Sequence, residues 1–293
     1  THGEQGYIEV TESAAPKLVD IAFLLKTEHM LLERVFDSTK TYSEITEIND
    51  HAAQVRMPVK ANLERFLRYA IDYHAKTDGA FDISMGSLRK VWGFDGGLPP
   101  GEITPEVAFA STSSIGMDRI VLANKHIDFT TSLVKLDLAG MLDGYLVDLT
   151  ILKLRDNLYQ DLIIRIGNSS RSLGIDSKGD YWTHNVMHPV DTNQVMGVVK
   201  LKDKIAASSS YRNANWVQTD NQRIYHILDP RTGLSAQGVL SATVIGSTAN
   251  KTDALATALI VAGPTKVRKI LRDFPGCEAM LILDESPPRI MMS

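Results

Sequence analysis

An imidazole, a carboxylate and a guanidinium share the stretch Tyr225-His226-Ile227-Leu228-Asp229-Pro230-Arg231-Thr232-Gly233. A histidine titrates near neutral pH and can take a proton from a hydroxyl. Further along, Thr252-Asp253-Ala254-Leu255-Ala256-Thr257-Ala258 sets an acid and a hydroxyl four residues apart, on one face if the segment is helical. Asp253 and Thr257 are hard oxygen donors of the kind Mg²⁺ prefers. Together the two stretches point to an imidazole beside a hard-metal, phosphate-handling site. Each residue also has a plainer reading. His226 could hydrogen-bond a core carbonyl from within a strand, Asp253 could cap a helix N-terminus, and Thr257 could bond a helix carbonyl.

Several elements must position these groups. Apolar spacing over residues 12–36 predicts a long amphipathic helix, with Pro16 tolerated in its first turn. Pro58 opens a second helix, which keeps its periodicity to His74 and stops near Thr77-Asp78-Gly79. Residues 95–117, rich in Gly, Pro, Ser and Thr, read as loop with one short helix. A short strand over 134–138 leads into a helix over 144–157. The C-terminal half is strand-rich, at 162–166, 195–201, 223–228, 240–246 and 279–283, with helices over 253–261 and 264–274. Strands and helices that do not strictly alternate imply an α+β fold. No Pro/Gly/Ser linker divides the chain, so residues 1–293 read as a single domain.

Bulk properties exclude other classes. Net charge of −4 and a pI near 6.1 argue against a nucleic-acid partner. The longest apolar run, residues 254–262, is too short to span a bilayer, so no transmembrane segment is expected. Cys277 is the one cysteine, which excludes an internal disulfide and any multi-cysteine metal site.

Four segments stand in order along the chain, the last already met: Ser43-Glu44-Ile45-Thr46-Glu47-Ile48-Asn49; Asp78-Gly79-Ala80-Phe81-Asp82-Ile83-Ser84, running on to Trp92-Gly93-Phe94; Asp137-Leu138-Ala139-Gly140, continuing to Gly144-Tyr145-Leu146-Val147-Asp148; and Asp253 to Ala258. With the histidine stretch, their order and spacing resemble the FAD:protein FMN transferase (ApbE) family from about Ser38 to the C-terminus. The resemblance implies a single ApbE-like domain with a mixed β-sheet core and flanking helices. It implies metal-dependent transfer of FMN from FAD to a Thr or Ser hydroxyl of a partner protein, with AMP leaving. Mg²⁺ would be held by Asp253, Thr257 and the backbone carbonyl of Leu142, and His226 would be the base. Asp82, Trp92, Asp143, Gly167, Asn168, Tyr211 and Arg231 would face FAD. Trp92 either stacks on a ring or packs in the core, and Arg231 either holds a phosphate or pairs with Asp229. His184 and His188 flank a strand edge and are not taken as metal ligands. The partner would be an acceptor flavoprotein subunit of a membrane redox complex. The location would be the cell envelope or periplasm, lipid-anchored before trimming, with the cytoplasm as the alternative.

Three departures fall at ligand-facing motifs. Asp143 stands where the family usually has Lys within Gly-Ile-Ala-Lys-Gly-Tyr. Gly167-Asn168-Ser169 replaces Gly-Gly-Asp/Asn, and Ser208-Ser209-Ser210-Tyr211 replaces Thr-Ser-Gly before a tyrosine. An anion in place of a cation beside a diphosphate leaves two alternatives to transfer open. One is hydrolysis of FAD to FMN and AMP; the other is flavin or nucleotide binding without catalysis.

Overall fold

The computed structural model describes residues 7–10, 30, 32–38, 40–94, 103–155, 160–189, 191, 193–211, 215–217 and 223–293. They group into two compact units. One comprises Thr1–Met30, Ala139–Arg212 and Gly238–Ser293; the other comprises Leu31–Leu138 and Asn213–Gln237.

The first unit is built on a seven-stranded sheet, in the order Tyr7–Val10, Leu162–Ile166, Ser169–Leu173, Ile205–Ser210, Val239–Gly246, Glu278–Leu283 and Arg289–Met292. Every pairing is antiparallel. The expected α+β class therefore stands, with antiparallel pairing at each step of this sheet where mixed directions were expected. Side chains alternate between its faces. Leu162, Ile164 and Ile205 pack with Val147, Ile151, Leu154 and Ala249, which belong to the helices Ala139–Arg155 and Ala249–Ala262. On the opposite face Ile163 and Ala206 pack against Trp182 and Leu201 of the hairpin formed by Trp182–Met187 and Val195–Leu201. The helix Ala249–Ala262 is buried on nearly all sides, as its Ala-rich, largely apolar sequence dictates.

In the second unit Ser43 caps the helix Glu44–His51, its hydroxyl accepting from the Thr46 N–H at 3.2 Å. The helix Ala61–Lys76 follows, and the Glu44 carboxylate accepts the Lys60 N–H at 2.7 Å just before it. Ile120–Ala123 and His126–Phe129 form a hairpin through Asn124 and Lys125, both at positive φ, the pattern of a type I′ turn. Trp92, Leu88, Phe94, Ala108, Ile224 and Leu228 form the apolar centre.

Several boundaries differ from the sequence expectation. Pro58 lies in the edge strand Met57–Pro58, where its missing N–H costs no ladder bond, and the helix opens at Ala61. Residues 134–138 form no strand beyond an isolated bridge between Met85 and Lys135, and the central helix begins at Ala139. The strand expected over 223–228 spans Arg223–Tyr225, and the chain bends at His226. The first long helix falls mostly outside the described residues; Met30 and residues 32–36 are helical. Residues 95–102 also lie outside them, and Pro105–Ser111 is the short helix of that segment.

Candidate active site

Asp253 and Thr257 do share one helical face, as their spacing requires, and both reach toward the start of the central helix. Asp253 Oδ2 accepts the Gly144 N–H at 2.8 Å. The Thr257 hydroxyl donates to the Gly140 carbonyl at 3.5 Å and meets the Ser209 hydroxyl at 3.0 Å. Asp253 does not cap its helix, which starts one turn earlier at Ala249. The cap comes from Asp148 on the central helix. Its two carboxylate oxygens accept the Ala249 and Asn250 N–H groups, each at 2.9 Å, a favourable place for negative charge. Sequence reasoning missed this role, because a cap supplied from another element leaves no local signature.

Gly144 makes the close approach of the two helices possible. A Cβ built there would lie 2.2 Å from the Ala249 carbonyl oxygen and 2.7 Å from Asp253 Cβ. With the helices this close, Asp253 is buried, and burial pushes its carboxyl pKa well above the usual range. The nearby charges of Asp143 and Asp148 push in the same direction, and the Gly144 N–H opposes them. Burial likewise raises Asp148, against its two backbone hydrogen bonds.

The donor set suits a hard divalent cation. Among the described residues Asp253 Oδ1 accepts no hydrogen bond. A buried carboxylate beside two other acids is a place where a cation relieves charge. Among the described residues no group of three or more His, Cys, Asp or Glu side chains is disposed to hold a metal. The expected set of one carboxylate, one hydroxyl and the Leu142 carbonyl does not need one, since Mg²⁺ keeps several waters. Leu142 is buried and Asp143 half-buried at the start of the central helix. Gly167, at positive φ, and the exposed Asn168 form the two-residue turn between Leu162–Ile166 and Ser169–Leu173. Tyr211 is buried, its N–H bonded to the Leu240 carbonyl at 3.2 Å.

The remaining expected residues belong to the second unit. His226 is half-buried at a bend, with the Phe94 ring edge-on at 6.4 Å between centroids. Arg89 holds the backbone there. It donates to the His226 carbonyl at 3.2 Å and to the Phe94 carbonyl at 3.0 Å, and its Nε pairs with Asp137. Nothing in the local sequence announced Arg89, which acts across 137 positions. Asp229 and Arg231 form a two-pronged pair at 2.8 and 2.6 Å, which raises the Arg231 pKa. Gly233 closes this turn at φ +74°, where a Cβ would meet the Ala108 carbonyl oxygen at 2.2 Å, so glycine is required. The Trp92 indole is buried and donates to the Gly233 carbonyl at 2.8 Å. The Asp82 side chain is buried against Ser84, which bonds it through N–H and hydroxyl, and lies 3.4 Å from His74 Nδ1. Burial raises its pKa, with Ser84 and His74 opposing.

This α+β architecture is shared with flavin-transferring enzymes. The chain is similar to the crystal structure of the ApbE protein from Thermotoga maritima, with a TM-score of 0.84 and 26% identity over 99% of this chain and 97% of that one. It shares its fold with the apo form of the Pseudomonas stutzeri flavinyl transferase ApbE, at a TM-score of 0.86 and 22% identity, over 100% and 92% of the two chains. It is 28% identical to the FAD:protein FMN transferase of Escherichia coli K12, over 82% of this chain and 70% of that protein. With the Haemophilus influenzae FAD:protein FMN transferase it is 30% identical, over 82% and 72%. A model of the ApbE family matches residues 8–281, and the chain belongs to that family.

Proposed function

We propose that this protein transfers FMN from FAD to a Thr or Ser hydroxyl of a partner protein. The acceptor oxygen attacks the phosphorus of the FMN half, the bond to the AMP phosphate breaks, and AMP leaves with the electron pair. An imidazole nitrogen of His226 takes the hydroxyl proton. Asp253, Thr257 and the Leu142 carbonyl would hold a divalent cation, Mg²⁺ by preference. When bound it neutralises phosphate charge. Arg89 and Phe94 hold and flank the histidine. The observation that carries this reading is that Asp253 and Thr257 share one helix face and bond the Gly144 N–H and the Gly140 carbonyl at the start of the central helix.

FAD hydrolysis is the second reading, and Asp143 favours a third, binding without turnover, because its charge adds to that of Asp253. An acceptor flavoprotein subunit of a membrane redox complex and a periplasmic, lipid-anchored setting belong to the same proposal. Among the described residues no helix is long and apolar enough to cross a membrane.

Incubation with FAD and Mg²⁺, with and without an acceptor protein of a related transferase, separates the readings. AMP released only with acceptor, together with covalent flavin on that acceptor, is the expected result. AMP without acceptor means hydrolysis, and bound FAD without AMP means a binder; either overturns the transfer reading.

A further inference from the structure

A chain of hydrogen bonds crosses the seven-stranded sheet on the face opposite its helices. Arg165 Nη1 donates to Ser170 Oγ at 3.1 Å. Ser170 Oγ and His184 Nδ1 are 2.9 Å apart, His184 Nε2 and Ser208 Oγ 2.9 Å, and Ser208 Oγ and Thr243 Oγ1 2.7 Å. A guanidinium can only donate. The arrangement that uses each serine hydroxyl once as acceptor and once as donor therefore runs one way. Ser170 gives its proton to Nδ1, His184 carries its own on Nε2 and gives it to Ser208, and Ser208 gives to Thr243. Burial, with a smaller contribution from Arg165, lowers the His184 pKa to about 4, so the ring is neutral near pH 7, as this pattern needs.

The chain of bonds reaches the helix-covered face of the sheet, where Thr257 lies, through strand alternation. Ser208 points to His184; Ser209, the next residue, points to the other face and meets Thr257 Oγ1 at 3.0 Å. His184 sits on Trp182–Met187, outside the seven-stranded sheet, so its hydrogen bond ties Ile205–Ser210 to the packed hairpin.

We propose that His184 is a positioning residue for Thr257: by gripping Ser208 from one face of the sheet it fixes where Ser209 meets the Thr257 hydroxyl on the other. This rests on the reading of Asp253 and Thr257 as cation ligands. No part of the reaction requires His184 to touch substrate or metal.

Two amides dissect the ring. His184→Gln places an N–H near the former Nε2 and keeps the bond to Ser208; His184→Asn places its polar atoms near the former Nδ1 and keeps the bond to Ser170. Each loses one buried hydrogen bond, so a purely structural role predicts equal effects. The test is Mg²⁺ affinity by calorimetry alongside the thermal midpoint. Groups that orient a metal ligand typically cost about 10–100-fold in affinity when removed. Ser209→Ala should therefore weaken Mg²⁺ binding about tenfold, and His184→Asn or Ser208→Ala about three- to tenfold, one step more remote. His184→Gln should stay within about twofold of wild type at a thermal midpoint close to that of His184→Asn. Equal Mg²⁺ affinity in the Gln and Asn variants overturns the inference. So does unchanged affinity in Ser208→Ala, which also decides the matter if the His184 variants fail to fold. Asp253→Ala is the control: if it binds Mg²⁺ like wild type, the metal reading falls and the inference with it.

Discussion

Replacing Gly144 with alanine should destabilise the protein, although alanine is the better helix former. Gly144 lies inside the helix Ala139–Arg155, where Gly→Ala alone is worth about 1 kcal/mol in favour of folding. Against that, the new Cβ would lie 2.2 Å from the Ala249 carbonyl oxygen, when ordinary contact begins at 3.4 Å, a shortfall of about 1.2 Å. The obstacle is backbone of a buried helix, so it cannot rotate aside. Overpacking of this kind costs about 1–3 kcal/mol. Separating the helices also stretches the Gly144 N–H bond to the Asp253 carboxylate, and a bond to a charged group is worth about 1.5–3 kcal/mol. The net expectation is a loss of roughly 1.5–5 kcal/mol. Urea unfolding at neutral pH gives the number, with Mg²⁺ calorimetry on the folded fraction expected to show weaker binding. A variant as stable as wild type, or more stable, would refute the close-approach reasoning, because the helix-propensity gain would then be acting unopposed.

Removing the proposed base by His226→Asn should slow FMN transfer by about 10²–10⁴-fold while FAD affinity is kept; a rate within a few-fold of wild type assigns His226 to structure. Asp143→Lys should remove one of the charges that raise Asp253 and strengthen FAD binding in the absence of metal; unchanged FAD affinity, with and without Mg²⁺, would show that Asp143 does not act on the diphosphate. The His184 imidazole makes a specific demand on pH dependence. Unfolded, it takes a proton near 6.5; folded, only near 4. Its contribution is therefore intact above about pH 6.5 and lost as pH falls toward 4, on the order of 3 kcal/mol in all. Asp148 and Asp253 are raised and act in the opposite sense, losing stability as pH rises. The histidine term is read as the difference between wild type and His184→Gln at pH 7 and pH 4.5, and a pH-independent difference would remove it.

The common face of Asp253 and Thr257 was more legible in the sequence than the frame that holds it. The four-residue step from Asp253 to Thr257 fixed their common face through helical periodicity alone. The strands 162–166 and 195–201 matched because Ile, Leu and Val favour extended chain, whether the strand is buried, as 162–164 are, or largely open, as 195–200 are. Ser169–Leu173 and Ile205–Ser210 were missed because serine carries no strand signal. Ser170 and Ser208 earn their places through hydroxyls bonded to His184, a contact between residues far apart in the chain. The same reason hid Asp148 as a cap and Arg89 as the holder of His226. Trp92 was left between stacking and packing; it lies in the apolar centre of the second unit, with its indole N–H 2.8 Å from the Gly233 carbonyl.

The most direct measurement is AMP release from FAD, in the presence of an acceptor protein of a related transferase, titrated with Mg²⁺ for wild type and Asp253→Ala. Wild type should show saturable Mg²⁺ dependence with one covalent flavin gained per AMP, and Asp253→Ala should release none at any Mg²⁺ concentration while keeping its fold by circular dichroism. AMP release by Asp253→Ala at the wild-type rate, or by wild type after exhaustive chelation, would contradict a metal-dependent transferase built on this helix.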